Sequence, residues 1–200
     1  MAEKFLDLLV TPAVAQAQAH YYGRAPARVG RAVGADALTA DETQFIASRD
    51  SFYLSTVSES GWPYVQHRGG PPGFLHVVSP TSLAFADYTG NRQLLTTGNL
   101  ATNDRVCLFL MDYPQRTRLK ILGHARTVDA RSHPELVARF ATPDAQRRVE
   151  RVVLIEVVSF DWNCRKYITP RYTVAEVQAL VKPLQARIAE LENQLAHKPS

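Results

Sequence analysis

Six short β-rich segments crowd the middle of the chain between Ser51 and Asp129, each closed by turn-forming residues, and they restrict the possible folds more than any other feature. The segments are Phe52 to Val57, Tyr64 to Arg68, Phe74 to Val78, Ser82 to Tyr88, Val106 to Asp112 and Arg118 to Asp129. Their spacing fits a small antiparallel barrel. Ser58-Glu59-Ser60-Gly61-Trp62-Pro63 reads as a hairpin between the first two, because Gly supplies a positive φ and Pro cannot sit inside a ladder. A seventh strand, Val152 to Phe160, is almost continuously apolar apart from Glu156, which suits a central position in the sheet.

Helical signals flank these strands. Thr11-Pro12 starts a helix from Pro12 to Tyr22 that Gly23 can stop. Gly23 to Gly34 shows no apolar period and reads as a loop or a wrapping arm. Thr39-Ala40-Asp41-Glu42 is a capping box for a short helix to about Ser48, and Ser132-His133-Pro134-Glu135 is a second one, for a helix to Phe140. Thr142-Pro143 opens another short helix. A further capping box, Thr173-Val174-Ala175-Glu176, introduces Val174, Val177, Val181, Leu184, Ile188, Leu191 and Leu195, which alternate spacings of three and four residues in a heptad seam. Pro183 either kinks that helix or begins a new one, and the seam either packs on its own domain or pairs as a coiled coil. The chain therefore divides into an N-terminal helical arm (1–50), a strand domain (51–171) and a C-terminal helical extension (172–200).

Composition removes several function classes. With 46% apolar residues among 200, the chain can build a core, yet no apolar run approaches the roughly 18 residues of a membrane span. The start carries Glu3, Lys4 and Asp7 in place of a basic signal-peptide head, so a cytoplasmic protein with no membrane partner is expected. Cys107 and Cys164 lack CxxC spacing and the six histidines show no HExxH pattern, so no metal site is expected, and no GxSxG elbow marks a nucleophile. Of the 23 cations 18 are Arg, and the net charge is only +4. Guanidinium forks bind phosphate bidentately, and these are dispersed rather than run together, which favours a phosphorylated small molecule over nucleic acid.

Three segments could carry chemistry. In Gln66-His67-Arg68-Gly69-Gly70-Pro71-Pro72-Gly73-Phe74, the glycines would let backbone approach a flat ligand while the prolines hold the loop; a plain bulged loop uses the same residues. Asp87-Tyr88-Thr89-Gly90-Asn91-Arg92-Gln93 leads to Thr96, Thr97, Gly98 and Asn99, a turn with a cation followed by neutral donors, as a phosphate site requires; an Asn-rich hairpin with an exposed Arg is the alternative. Arg116, Arg118 and Lys120 fall on one face of a strand, where a bound anion or plain solvent exposure would relieve their repulsion.

Taken together, the Gly61-Trp62-Pro63 hairpin, Gln66 to Phe74, Asp87-Tyr88, Gly90-Asn91-Arg92, Thr97 to Leu100, Asn103 to Val106, and Arg116 to Gly123 with Ala125 resemble the pyridoxamine 5′-phosphate oxidase-like flavoproteins over roughly Thr11 to Arg171. The resemblance implies a mainly β fold with flanking helices, an antiparallel split β-barrel that binds FMN, usually as a homodimer with the flavin between subunits. It implies cofactor contacts at His67, Arg68, Gly69, Gly70, Gly73, Phe74, Asp87, Tyr88, Asn91, Arg92, Asn99, Arg116 and Arg118. Arg68 matches the Arg that begins the flavin-contacting strand, Arg92 the residue that holds the phosphate, Asn99 an amide near the cofactor, and Arg116 and Arg118 the Arg-Gln-Val-Arg strand with Thr117 in place of Gln. The oxidases end in an Arg-Leu-His-Asp-Arg type motif, whereas this chain has Trp162 to Arg171, which sets it apart in its substrate. The resulting expectation is a flavoprotein oxidoreductase acting on a small molecule, with haem or deazaflavin use, or flavin binding without turnover, as alternatives. Apolar strands such as Val106 to Met111 and Val152 to Val158 are expected to close the open flank of the barrel against another subunit or under the tail.

Overall fold

The computed structural model describes residues 3–23, 34–162 and 166–197. Helices α1 (Glu3–Leu9), α2 (Pro12–Tyr22) and α3 (Ala40–Ala47) precede strands β1 (Ser51–Val57), β2 (Pro63–Gly69), β3 (His76–Ser79) and β4 (Ser82–Tyr88). Helix α4 (Leu95–Thr102), strands β5 (Arg105–Asp112) and β6 (Thr117–Asp129), helix α5 (Pro134–Phe140), a 3₁₀ turn at Gln146–Arg148, strand β7 (Val149–Trp162) and helix α6 (Val174–Ala196) follow. The expected arm falls largely on residues 24–33 and Cys164 on 163–165, both outside the described residues.

All seven strands join one antiparallel sheet in the order β2-β1-β5-β6-β7-β4-β3, which curls without closing. The β1–β2 hairpin forms where Gly61 takes φ 87° and the Ser58 amide donates to the Trp62 carbonyl at 2.9 Å. Alternation sends Phe52 and Leu54 of β1, Leu108 and Leu110 of β5, and Leu119 and Ile121 of β6 inward, where all are buried. Leu38 and Ile46, ahead of the strands, belong to the same core.

The two faces of β7 explain its apolar run: Val153 and Ile155 face that core, while Val152 faces a second cluster with Ala84, Ala86 and Phe140, supplied by α5 lying across β4 and β7. A strand covered on both faces needs no polar alternation. Its interior position is as expected, but the open edges are β2 and β3; β5 and β7 are paired on both sides, so they expose no edge to a partner.

Capping at α3 is complete. The Thr39 amide donates to Glu42 Oε2 at 2.9 Å, and the Trp162 indole donates to the other carboxylate oxygen, tying the helix to the end of β7. Burial pushes the Glu42 carboxyl up, but the bonds from Thr39 and Trp162 outweigh it and hold the pKa below 4.5.

At α5 the expected capping box does not form. Pro134 occupies the first turn, which makes His133 the cap residue and leaves Ser132 one position early; His133 Nδ1 instead meets Glu135 Oε1 at 3.0 Å. The helix expected after Thr142-Pro143 is only a turn leading to the 3₁₀ segment. Phe74, expected to open β3, precedes it and stacks on Phe52 with ring centroids 5.5 Å apart. Helix α6 runs through Pro183 without a break, and none of its residues is buried, so the alternative of a tail packed on its own domain is set aside.

Candidate functional site

Two unpaired regions of the curled sheet come close through side chains: Arg68 on edge strand β2 forms an ion pair with Asp87 on β4, whose other oxygen accepts from Arg151 Nε on β7 at 3.1 Å. This Arg68–Asp87–Arg151 bridge is the floor of a cleft of about 170 Å³. Tyr64 and Gln66 alternate with Arg68 along the inner face of β2, and Tyr88, Gly90, Asn91 and Arg92 continue from β4 along the rim.

Beyond the rim the backbone turns sharply. The Gln93 amide donates to Asn91 Oδ1 at 3.1 Å, and Arg92 and Leu94 take φ of 61° and 56°. For residues with a Cβ this left-handed region costs roughly 1–2 kcal/mol each. Its product is the start of α4 at the edge of the cleft: Leu94 is the cap, no side chain caps it, and the first helical bond is from the Gly98 amide to the Leu94 carbonyl at 2.8 Å. Leu95, Thr96 and Thr97, which precede that bond, all line the cleft. An uncapped helix start offers amide donors and a positive dipole end to an anion.

Charges sharpen the preference. Arg68 and Arg151 are engaged with Asp87, and Arg151 also meets Glu150 at 2.8 Å, whereas Arg92 makes no ion pair among the described residues. Arg68 Nε is buried without a hydrogen-bond partner. Thr96 Oγ1 donates to Gln66 Oε1 at 2.8 Å, which fixes the amide of Gln66 at the wall. The donor set is therefore one free guanidinium, a helix start and neutral hydroxyl and amide groups, a set matched to a terminal phosphate and an adjoining polyol.

The cleft brings together Arg68, Asp87, Tyr88, Asn91 and Arg92 from the sequence-based site. The other eight positions lie elsewhere. His67 points to the outer face and packs against Tyr53 at 5.6 Å. Gly70 and Gly73 are explained locally: a Cβ on Gly70 would stand 2.6 Å from Phe74 Cγ, and Gly73 has φ 82° beside the Ala47 carbonyl. Gly69 ends β2, and Phe74 is core. Asn99 is buried on α4, donating to Thr56 Oγ1 at 2.8 Å.

Arg116, with φ 53°, belongs to the turn before β6, so it does not share the strand face with Arg118 and Lys120. Lys120 pairs with Asp161 at 2.8 Å, which removes the expected three-cation repulsion. Gln66 opens the first candidate segment but is absent from the expected cofactor contacts, and Arg151 and the helical start at Leu95 are not expected as site features. The period-two alternation that puts Gln66 on the same face of β2 as Arg68 was the signal for including it; Arg151 announces itself only through the β4–β7 pairing.

A second hollow, about 570 Å³, lies on the outer face of β1, β2 and β5, lined by Tyr53, Val65, Phe109, Met111, Tyr113 and Arg118 among others. Cys107 lies here half-buried, and burial pushes its thiol up while Lys120 pulls it down. Burial and the Tyr53 hydroxyl likewise hold the Tyr113 phenol above its ordinary value.

An open antiparallel barrel with helices on its flanks is the split-barrel architecture. The family model described as pyridoxamine 5′-phosphate oxidase matches residues 38–160, well over half of the chain, and the chain belongs to that family. Similar solved structures include HupZ of Group A Streptococcus (TM-score 0.49, 12% identity, 68% of this chain and 99% of that one). They also include a Clostridium acetobutylicum protein related to general stress protein 26 (0.49, 12%, 68% and 94%) and an FMN-binding protein from Syntrophomonas wolfei (0.43, 10%, 60% and 81%). No curated protein matches the chain. Among the described residues no helix is long and apolar enough to cross a membrane.

Proposed function

We infer that this chain binds FMN, with the phosphate in the cleft between β2, β4 and α4, and acts as a flavin-dependent oxidoreductase on a small molecule. The observation that carries the reading is the convergence of the unpaired Arg92 and the uncapped start of α4 on one cleft. Arg92 supplies the guanidinium fork, the Leu95 to Thr97 amides and hydroxyls supply neutral donors, and Asp87 holds Arg68 and Arg151 in place while limiting the net positive charge. Bound FMN supplies hydride or electron transfer at its ring.

At about 170 Å³ the cleft is smaller than the roughly 300–1,000 Å³ of pockets that enclose a small molecule, so one chain accommodates the phosphate end and leaves the ring uncovered. The uncovered outer face of β1, β2 and β5, where Tyr53 is 39% and Val65 59% exposed, suits a second copy that completes the site. By the resemblance, Trp162 to Arg171 replaces the Arg-Leu-His-Asp-Arg type motif of the oxidases, and Tyr167, Ile168, Thr169 and Arg171 line the outer hollow. This supports a substrate other than pyridoxamine 5′-phosphate.

The absorbance spectrum of the purified protein tests the reading. Flavin bands, release of FMN rather than FAD on boiling, and bleaching by a reduced nicotinamide under anaerobic conditions are expected. A haem Soret band, or a colourless protein that ignores added FMN in titration, would overturn it.

A further inference from the structure

Helix α6 is 23 residues long and buries none of them; its seam residues Val174, Val177, Val181, Leu184, Ile188, Leu191 and Leu195 are 38% to 74% exposed. A single helix with an open apolar stripe gains nothing from that stripe in water, and most helical stability in proteins comes from packing such a face. We propose that α6 pairs with α6 of a second copy of this chain as a parallel, in-register, two-stranded coiled coil.

The seam specifies the occupant. Taking Val174 as the first position of a heptad, Val174, Val181, Ile188 and Leu195 fall on the first seam position and Val177, Leu184 and Leu191 on the second. β-Branched residues at the first position with Leu at the second favour two parallel strands, and the pairs Val181/Leu184 and Ile188/Leu191 follow that rule. Pro183 falls on the position just before Leu184, on the flank away from the seam, so its ring does not enter the interface. The start of the helix is fixed by a complete capping box, with the Thr173 amide donating to Glu176 Oε2 at 2.7 Å and the Glu176 amide to Thr173 Oγ1 at 3.2 Å.

Flanking charges set the direction. Arg187 precedes the seam residue Ile188, and Glu192 follows the seam residue Leu191; in a parallel pair these two flanks face each other five residues apart across the interface. Arg187 of each copy then meets Glu192 of the other twice by symmetry. Within one chain Arg187 contacts Glu190 at 2.6 Å, and Glu192 has no ion pair among the described residues, which leaves its carboxylate open to the partner's Arg187. In an antiparallel pair the flanks meet like with like, and the Arg187–Glu192 match is lost. This pairing is independent of the cofactor: it holds or fails whether or not the cleft binds FMN.

The test uses the full chain with Cys107 and Cys164 replaced by Ser and a single Cys introduced as Leu191→Cys in the seam or Asn193→Cys on the outer side of the helix. Under mild oxidation at micromolar concentration, Leu191→Cys should yield disulfide-linked dimer at least about tenfold faster than Asn193→Cys, since the seam holds equal residues together at high effective concentration. Adding Arg187→Glu to Leu191→Cys should slow the linkage, and adding Glu192→Arg as well should restore it. Equal rates at the two positions, or no linkage, would overturn the proposal. An antiparallel pair, tails held apart in a barrel-mediated dimer, or a tail seated on a different protein would all leave Leu191→Cys reduced. Because α6 contributes no buried residue, the substitutions on it leave the barrel core intact; Cys107→Ser, half-buried on β5, is shared by every variant compared, and a cooperative thermal transition like that of the unaltered chain verifies the fold.

Discussion

Arg92, left without an acidic partner among the described residues, and Glu42, bonded on both carboxylate oxygens, are opposite cases at the scale of one side chain. Arg92 stands in a left-handed backbone position with no acidic partner among the described residues, and strain of that kind persists where the surroundings enforce it. Replacing it with Ala should remove about 1.5–3 kcal/mol of FMN affinity, on the order of tenfold to a hundredfold in Kd, measured by flavin fluorescence quenching at fixed salt. Riboflavin, which lacks the phosphate, should bind parent and variant nearly equally, and Arg126→Ala, an exposed charge change on β6, should leave FMN affinity unchanged. Equal FMN affinities for Arg92→Ala and Arg126→Ala would remove Arg92 from the site. Glu42 is the opposite case, a carboxylate whose bonds from Thr39 and Trp162 lower its pKa from 4.5. Its contribution is complete above the unfolded pKa and is lost as pH falls through the folded one. Glu42→Gln should cost about 1–2 kcal/mol at neutral pH and progressively less between about pH 5 and pH 3, read from denaturant midpoints across that range. A penalty that stayed constant with pH would show that the charge contributes nothing.

Strands and helices were not equally legible. All seven strands announce themselves because alternating or doubly covered apolar residues bounded by Gly, Pro and Asn report a period-two backbone directly. Helix α4 was missed because Leu95-Thr96-Thr97-Gly98-Asn99-Leu100-Ala101-Thr102 combines three Thr, a Gly and an Asn, weak helix formers that only tertiary packing holds in that state. That element brings backbone amides to the cleft, so the segment proposed for a phosphate stood out in sequence as a candidate while the geometry around it did not. The bridge from Arg68 to Asp87 was hidden for another reason: the two belong to strands from opposite parts of the sheet order, and one sequence does not report such contacts. Two glycines give a prediction at this scale. A Cβ on Gly123, at the β6 bulge, would lie 2.6 Å from the Glu156 carbonyl oxygen, whereas one on Gly98 of α4 would meet open space. Gly123→Ala should therefore destabilise by about 1–3 kcal/mol, and Gly98→Ala should stabilise by up to about 1 kcal/mol, both by chemical denaturation. A similar loss at both positions would mean that α4 is not helical in solution.

The whole molecule presents two surfaces that a single copy leaves open, the outer face of β1, β2 and β5 and the seam of α6. If both are used in one twofold dimer, neither has to be large, because the coil raises the effective concentration of one barrel beside the other. The buried core, by contrast, closes without α6, since none of the residues buried among those described lies on that helix. A chain ending at Arg171 should fold with an unchanged barrel yet dissociate to monomer at a concentration at least about tenfold higher than the full-length protein, as followed by sedimentation over a dilution series. Added FMN should then draw the shortened chain back towards dimer, because a ligand that two copies hold together stabilises the assembled state by mass action. Riboflavin should do so less well, since it forgoes the contacts at Arg92 and the start of α4. An unchanged midpoint on truncation would show that the barrel faces alone hold the copies together, and a midpoint insensitive to FMN would show that the ring lies wholly within one chain.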